Sequence, residues 1–172
     1  MKVEWRAWVL SDPERQKFDS WMAGIMHGHT GTKDVRNRQL AWTPLTKPLS
    51  ECVVTLFTTG GVHLKSDQPY DIANPHGDWT FREIPTDIAT SELMVTHSHY
   101  SHVDADRDIN CMFPLDRLRE LCNQGVIGGL ASSAYTIMGF NPDPAHLLEK
   151  TAPELARRYQ ASGADVVFMT CG

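Results

Sequence analysis

The sequence predicts an α/β fold with a mainly parallel sheet, built as a three-layer sandwich. Short, continuous apolar runs at residues 52–57, 126–131 and 164–169 are typical of strands that are buried on both faces of a parallel sheet. Amphipathic segments at 114–123 and 143–161 have the length of crossover helices, and they alternate with the strands. A chain of 172 residues is long enough for one domain with its own core.

The N-terminal part of the chain predicts a helix followed by an irregular arm. Ser11 and Pro13 are typical of a helix start, and apolar residues recur on one face as far as Ile25. Polar residues and prolines follow this segment. We therefore assign residues 1–50 to the helix and arm, and residues 51–172 to the α/β domain.

The segment between the first strand and the first crossover helix predicts loops and shorter strands. Residues 65–78 are rich in proline and aspartate, which favours a long loop. Residues 80–84 alternate between polar and apolar side chains, as an edge strand does. Residues 93–96 form another short apolar run and are predicted to be a strand.

Glycine and proline mark the ends of elements in the second half of the chain. Gly125 closes the helix at 114–123, and Pro153 predicts a kink or a break within 143–161. The final strand follows Gly163, and no helical segment follows to cover it. We therefore expect a Rossmann-like arrangement whose C-terminal part is missing from this sequence.

Composition and charge exclude several classes of protein. A formal net charge of -5 gives no electrostatic argument for nucleic-acid binding, whose proteins usually carry a basic face, and no apolar run approaches the roughly 20 residues of a membrane span. The N-terminus is charged and unlike a secretory signal, so we expect a cytoplasmic protein. The cysteines are widely spaced, form no CxxC pair and are predicted to be free thiols: Cys52, Cys111, Cys122 and Cys171.

Thr58, Thr59, Gly60 and Gly61 directly follow the first predicted strand. Glycines at such a place could present backbone N–H groups to a carboxylate or a phosphate. They could equally serve a tight turn that needs a positive φ. Their spacing matches neither a Walker loop nor a dinucleotide-binding fingerprint.

Residues 97–108 hold the densest group of chemically active side chains, with three imidazoles and three carboxylates. In an extended segment His97 and His99 point the same way, and His102 could reach the same place after a turn. The group could bind a divalent transition metal, act as acids and bases on a substrate, or fix a loop by hydrogen bonds. His63 could join it, because both loops are predicted to leave strand ends at one sheet edge.

Cys171 follows the final predicted strand, at the place where α/β proteins carry their chemistry. A thiol there is a candidate nucleophile, particularly if a helix begins soon after it and favours the thiolate. Taken by itself, the residue could also be an inert thiol.

Six segments together carry a resemblance to known proteins: residues 42–45, 47–50, 58–64, 77–85, 97–110 and 113–118. They resemble the selenoprotein B family of glycine, sarcosine and betaine reductases and D-proline reductase. The likeness covers most of the chain from about Trp42 onward, and its most specific segment is 97–110. It is nearest to the D-proline-reductase-like branch.

In that family, the strand equivalent to residues 166–170 leads into a short motif. A selenocysteine, or a cysteine in its place, is followed three residues later by a second cysteine. Cys171 either occupies the selenocysteine position or directly precedes it. In the second case the resemblance implies a UGA codon read as stop, so that the sequence is a fragment of a selenoprotein; a boundary chosen for expression would look the same.

The resemblance implies reductive cleavage of a C–N bond at the α-carbon of a small amino acid or a related amine. A selenolate or thiolate attacks that carbon, a pyruvoyl group on a partner subunit activates the amine, and a neighbouring thiol resolves the adduct. We therefore expect a small-molecule substrate, a pyruvoyl-type partner subunit and a homo-oligomer. Without the resolving cysteine, the chain alone is expected to be inactive or nearly so.

The resemblance also implies a role for particular side chains. The implied catalytic residues are Cys171, His99 and His102. The implied substrate-binding residues are Thr59, Gly60, Gly61, His63, Asp104 and Asp106. Two alternatives stay open at this point. One is a metal-binding module that uses His97, His99 and His102, and the other is a thiol oxidoreductase that acts on another small molecule containing sulfur or selenium.

Overall fold

The computed structural model describes residues 43–171. The predicted helix at 11–25 and most of the predicted arm lie outside the described residues. The strands are, in chain order, β1 (Val53–Thr58), β2 (Val62–Leu64), β3 (Phe81–Pro85), β4 (Leu93–Val95), β5 (Gly129–Leu130), β6 (Ser133–Ile137) and β7 (Val166–Thr170). The α-helices are α1 (Val103–Arg107), α2 (Leu115–Asn123) and α3 (Ala152–Ala161).

The main sheet is built around β1, whose β-branched and aromatic residues are almost all buried. β1 pairs in parallel with β5, β6 and β7, and its pairing with β7 runs from Val54 opposite Val166 to Thr58 opposite Thr170. β3 pairs antiparallel with β6 and forms an edge of the sheet, as its alternating pattern predicted. The chain therefore has a mixed α/β fold with a mostly parallel sheet, as the sequence predicted.

Four strands differ from the sequence-based assignment. β4 pairs antiparallel with β2 in a separate two-stranded sheet, whereas residues 93–96 were predicted to join the main sheet. β2 and β6 were missed, and the predicted strand at 126–131 contains only the two-residue β5. Because the small sheet packs on one side of the main sheet, the Rossmann-like, three-layer arrangement is not confirmed.

Apolar side chains pack against both faces of the main sheet. Since neighbouring residues of a strand point to opposite faces, Val54 and Leu56 of β1 face one side and Phe57 faces the other. Val54 and Leu56 pack in a cluster with Leu118 of α2 and with the small sheet. Phe57 packs in a second cluster with Leu155 of α3. The sheet is thus held in place from both sides.

One helix ends just before Gly125, and another changes its helical geometry before Pro153, as the sequence predicted at both residues. Gly125 follows α2 with a φ of 69°, a left-handed conformation that suits glycine. A π-helical turn, Leu147–Thr151, leads directly into α3 just before Pro153. The proline lacks an N–H and crowds the preceding turn, so the predicted kink takes the form of a widened turn. Within residues 43–171, no helix has the length and apolar character to cross a membrane.

β7 pairs with β1 and with no other strand among the described residues. Its start is fixed by Asp165, whose carboxylate accepts hydrogen bonds from the Val53 N–H at 2.8 Å and lies 2.7 Å from the Lys47 ammonium. Phe168 and Met169 are 45% and 66% exposed. β7 is therefore anchored along one side, and its end is open to solvent.

The long loop between β2 and β3 is anchored by Tyr70, which is 2% exposed. Its hydroxyl lies 2.9 Å from the carbonyl oxygen and 2.7 Å from the hydroxyl oxygen of Thr136 in β6. The Thr136 hydroxyl in turn donates to the carbonyl of Val62 in β2. One buried hydrogen-bond chain therefore connects the loop, the main sheet and the small sheet.

We expect Tyr70→Phe to lower the free energy of unfolding by about 1 to 2 kcal/mol, because it leaves buried acceptors of Thr136 without their donor. Tyr159→Phe is the matched control. The hydroxyl of Tyr159 is also buried, but it has no hydrogen-bond partner among residues 43–171. Its removal is expected to be neutral or stabilising. Urea unfolding of both variants measures the difference, and equal losses would show that the Tyr70 hydrogen bonds do not anchor the loop.

Candidate functional site

The candidate site lies where β1 and β7 end. The two strands are parallel, with Thr58 opposite Thr170, so both end at the same edge of the sheet. The N–H of Thr59 donates to the carbonyl of Thr170 at 3.3 Å. Cys171 is exposed and follows directly. The predicted nucleophile therefore lies beside the turn formed by Thr59, Gly60 and Gly61, called here the glycine turn.

The two glycines of this turn are required by close packing. Gly61 has a φ of 70°, and a Cβ on it would overlap the carbonyl oxygen of Thr96. A Cβ on Gly60 would overlap the sulfur of Met112. The Thr96 N–H donates to the Gly61 carbonyl at 2.9 Å, so the chain after β4 lies directly on the turn.

The N–H groups of the glycine turn are all engaged within the protein. Thr59 donates to the Thr170 carbonyl, Gly60 donates to the Thr58 hydroxyl at 3.2 Å, and Gly61 donates to the Ile137 carbonyl at 3.0 Å. A carboxylate could reach them only by exchange with one of these bonds. The binding of a substrate carboxylate at this turn thus stays a prediction.

The histidine loop, residues 97–102, lies at the same edge, but it does not follow the strand of the main sheet that the sequence predicted. It follows β4 of the small sheet, not a strand of the main sheet. Its anchor is Tyr100, whose hydroxyl lies 2.6 Å from the Gly60 carbonyl oxygen and 2.8 Å from the Met112 sulfur. Burial, with the nearby Cys111 and Asp106, raises the pKa of Tyr100 to about 12, so the hydroxyl stays a donor at neutral pH.

His97 and His99 lie next to each other in this loop. Their ring centroids are 5.9 Å apart, and Nδ1 of His97 accepts a hydrogen bond from the N–H of His99 at 3.1 Å. Burial, followed by the charges of His99 and His102, lowers the pKa of His97. His97 is therefore neutral at pH 7, and the hydrogen bond at Nδ1 places its proton on Nε2.

His99 is exposed but has a fixed orientation. Its ring stacks on Phe140, with centroids 3.5 Å apart and an interplanar angle of 10°. Phe140 lies in the loop after β6, so a third segment of the sheet's carboxyl edge supports the histidine loop. An oriented, solvent-facing imidazole can give or accept a proton at a substrate.

The other predicted site residues differ in their exposure to solvent. His102 is half-buried, and its Nδ1 lies 2.9 Å from a carboxylate oxygen of Asp106 in α1. Asp104 is exposed and pairs with Arg107 at 3.3 Å. His63 is fully buried, and its ring nitrogens contact the carbonyl of Leu64 and the hydroxyl of Thr96. In this conformation neither ring nitrogen of His63 is available to a ligand.

The predicted metal site at His97, His99 and His102 is not supported. Residues 43–171 contain no group of three or more His, Cys, Asp or Glu side chains arranged to hold a metal ion. The physical reason is that the loop is not extended, and each imidazole contacts a different protein group. Nδ1 of His97 accepts the His99 N–H, the His99 ring stacks on Phe140, and His102 pairs with Asp106.

Sequence reasoning missed three residues that shape this site: Tyr100 as an anchor, Met112 and Phe140. Phe140 was missed because β6 was missed, although the apolar residues from 134 to 138 carried the signal of a buried strand. Met112 and Tyr100 act through contacts with Gly60, which lies far away in the sequence. No local pattern marks such a contact.

Comparison with known proteins confirms the resemblance stated above. The family model described as glycine/sarcosine/betaine reductase selenoprotein B matches residues 34–172. The D-proline reductase subunit gamma of Acetoanaerobium sticklandii is 42% identical over 131 residues, which are 76% of this chain and 53% of that protein.

Two further relatives are more distant. The glycine reductase complex component B subunit gamma of Carboxydothermus hydrogenoformans is 28% identical over 130 residues, 74% of this chain and 29% of that protein. The betaine reductase complex component B subunit beta of Peptoclostridium acidaminophilum is 28% identical over 128 residues, 72% of this chain and 29% of that protein. The chain thus spans about half the length of the first relative and less than a third of these two. No solved structure matches the chain significantly.

We expect Gly61→Ala to destabilise the fold more than Gly125→Ala. Both glycines have a φ near 70°, so both variants lose about 1 to 2 kcal/mol from the left-handed backbone. Only the Cβ at Gly61 meets another group, the Thr96 carbonyl, whereas nothing lies within 4 Å of a Cβ at Gly125. The free energies of unfolding obtained from urea titrations should therefore differ by roughly 1 to 3 kcal/mol, the cost of overpacking. Equal free energies would mean that the loop after β4 does not lie on the turn.

Proposed function

We propose that this chain, which belongs to the glycine/sarcosine/betaine reductase selenoprotein B family, carries the nucleophile-bearing site of a reductase complex. The reaction is reductive cleavage of the C–N bond at the α-carbon of a small amino acid or a related amine. One observation carries the proposal: the exposed Cys171 follows β7 at the sheet edge where the glycine turn and the histidine loop meet. The names of the relatives describe them as reductase subunits or complex components.

The chemistry begins with an anionic chalcogen at the end of β7. The thiolate of Cys171, or the selenolate of the family's motif, attacks the α-carbon and forms a C–S or C–Se bond. The electron pair of the C–N bond moves to the nitrogen, which takes a proton as it leaves. Only the anion attacks, so a selenol, which is more acidic than a thiol, suits this position.

The histidine loop supplies the proton and orients the substrate. His99 is the proposed proton donor to the leaving amine, because its ring is exposed and held flat against Phe140. The neutral His97 lies beside it, with its Nε2–H able to donate to the substrate. His102, oriented by Asp106, is the second proposed acid or base.

The glycine turn is the proposed site of the substrate carboxylate. Of its three N–H hydrogen bonds, the one from Thr59 to the Thr170 carbonyl is the longest, at 3.3 Å, and Thr59 is half-buried whereas Gly60 and Gly61 are buried. A carboxylate is a stronger acceptor than a carbonyl oxygen, so the Thr59 N–H is the one most readily transferred to a ligand. Asp104 and Asp106 on α1 face solvent and are the proposed contacts for the substrate ammonium.

The complex is proposed to contain further subunits. A pyruvoyl group on a partner subunit would supply the carbonyl that makes the substrate nitrogen a better leaving group. The exposure of His99 and Cys171 leaves room for a partner's group to approach the same substrate. We propose that the chain also self-associates, and that it cleaves no C–N bond without its partner.

The test is turnover of D-proline, glycine and betaine by the assembled complex. His99→Ala is expected to lower turnover by about 10²- to 10⁴-fold, the usual contribution of a general acid. His99→Phe should lose as much, because it keeps an aromatic ring against Phe140 but carries no proton. His76→Ala, which changes an exposed histidine of another loop, should stay near wild type.

Two outcomes would contradict the proposal. Unchanged turnover in both His99 variants would remove His99 from the mechanism. A complete complex that reduces small disulfides or selenium compounds but cleaves no C–N bond would replace the proposed function with that of a thiol oxidoreductase.

A further inference from the structure

His63 is a fully buried histidine that the proposed mechanism does not use. It is the central residue of β2, it pairs with Met94 of β4, and its side chain is 0% exposed. A buried imidazole needs a hydrogen-bond partner for each ring nitrogen. Both nitrogens of His63 have such a partner, and the identity of the two partners assigns it a role.

The hydrogen bonds of His63 determine which nitrogen carries the proton. Nδ1 lies 2.7 Å from the carbonyl oxygen of Leu64, and a carbonyl oxygen can only accept. Nδ1 is therefore protonated and donates. Nε2 lies 2.8 Å from the hydroxyl oxygen of Thr96. A neutral imidazole carries a proton on one nitrogen only, so Nε2 accepts and the Thr96 hydroxyl donates.

The surroundings of the His63 ring suit the neutral form. Its two hydrogen-bond partners are a carbonyl and a hydroxyl, and neither is a carboxylate that would compensate an imidazolium for its lost hydration. The ring of the buried Tyr70 lies edge-on to it, with centroids 6.0 Å apart and an interplanar angle of 75°. The Nδ1–H tautomer is the form that satisfies all of these contacts.

Thr96, the partner of Nε2, is the residue from which the histidine loop starts. It is held at three points. Its N–H donates to the Gly61 carbonyl at 2.9 Å, its carbonyl oxygen lies where a Cβ of Gly61 would be, and its hydroxyl donates to His63. His97 follows directly. Gly61 therefore fixes the backbone of Thr96, and His63 fixes its side chain.

The position of Thr96 is transmitted along the loop to His99. Nδ1 of His97, the residue after Thr96, accepts the N–H of His99 at 3.1 Å. The His99 ring then stacks on Phe140, with centroids 3.5 Å apart. Because these contacts follow one another in sequence, a rotation of Thr96 displaces the proposed proton donor. A displacement of about 1 Å at a catalytic group can lower a rate by about 10²-fold.

We propose that His63 is a positioning residue of the site. As the neutral Nδ1–H tautomer it holds the Thr96 hydroxyl and thereby orients His99, without contacting the substrate. The effect on turnover rests on the proposed function, whereas the effect on the conformation of the loop does not. The proposal is an alternative to the substrate-binding role that the resemblance implied for His63.

The tautomer is tested on the full chain by itself. In protein with ¹⁵N-labelled histidine, long-range ¹H–¹⁵N correlation spectra distinguish a protonated ring nitrogen from an unprotonated one. The His63 signals, identified by their loss in His63→Gln, should show a protonated Nδ1 and an unprotonated Nε2 at pH 7. A proton on Nε2, whether in the other tautomer or in an imidazolium, would overturn the proposal.

The orienting effect is tested with Thr96→Val, which removes the hydroxyl of a half-buried residue and keeps its shape. The ring protons of His99, which the stacked Phe140 ring shifts, should move toward their positions in Phe140→Leu. Thr96→Ser keeps the hydroxyl and should leave them in place. Thr55→Val is the matched control, because it removes a buried hydroxyl that donates to the Ser133 carbonyl at 2.8 Å. Unmoved His99 signals in Thr96→Val, or equal movement in Thr55→Val, would contradict the orienting role.

Steady-state kinetics of the assembled complex separate a positioning residue from a substrate contact. Thr96→Val and His63→Phe should each lower kcat about 10- to 10²-fold and leave KM within about twofold of wild type. The double variant should lose no more than the more affected single variant, because both changes break the same hydrogen bond. A raised KM with an unchanged kcat would identify a substrate contact and overturn the proposal. Thr96→Val carries the test by itself if His63→Phe does not fold.

The two proposals fail separately. If the tautomer and the His99 signals are as expected but the assembled complex cleaves no C–N bond, the positioning of the loop by His63 stands and the proposed function is wrong. If the complex cleaves its substrate but the His99 signals do not respond to Thr96→Val, the proposed function stands and the positioning role is wrong.

Discussion

The absence of a side chain at Gly60 is the constraint on which the site depends. It lets the Met112 sulfur lie against the turn after β1, where a Cβ would overlap it. Met112 in turn contacts the Tyr100 hydroxyl through its sulfur and the Thr170 hydroxyl through its carbonyl. One close approach therefore joins the end of β1, the histidine loop and the end of β7. Each of these segments carries a residue of the proposed chemistry.

The elements that the sequence predicted well are those whose pattern is local. β1 and β7 are short apolar runs, and α2 has a regular apolar face that ends at Gly125. The pairing of β4 with β2 could not be read from the sequence, because an apolar run of three residues does not specify its partner. The sequence predicted which residue types form the site but not how they contact one another. Contacts such as that of Tyr100 with Gly60 join residues that are distant in the chain.

The arrangement of the histidines bears on two interpretations of the same residues. A metal site needs its ligands to converge, whereas here each imidazole contacts its own protein group, such as Phe140 for His99 and Asp106 for His102. Such contacts orient the rings, and the loop that carries them is anchored at Gly60, next to the turn that pairs with the end of β7. The proposed proton transfer beside a chalcogen nucleophile agrees with membership of a reductase selenoprotein B family.

The central claim is that this edge binds the carboxylate of an α-amino acid beside the thiol of Cys171. It is tested most directly by comparing the alkylation rate of the fully reduced chain with iodoacetate to its rate with iodoacetamide. Iodoacetate carries a carboxylate, and iodoacetamide carries a neutral amide in its place. The account predicts that the ratio of the two rates is several-fold higher at Cys171 than at Cys122, and that D-proline or glycine lowers the ratio at Cys171. Equal ratios at the two cysteines, unaffected by the amino acids, would contradict it.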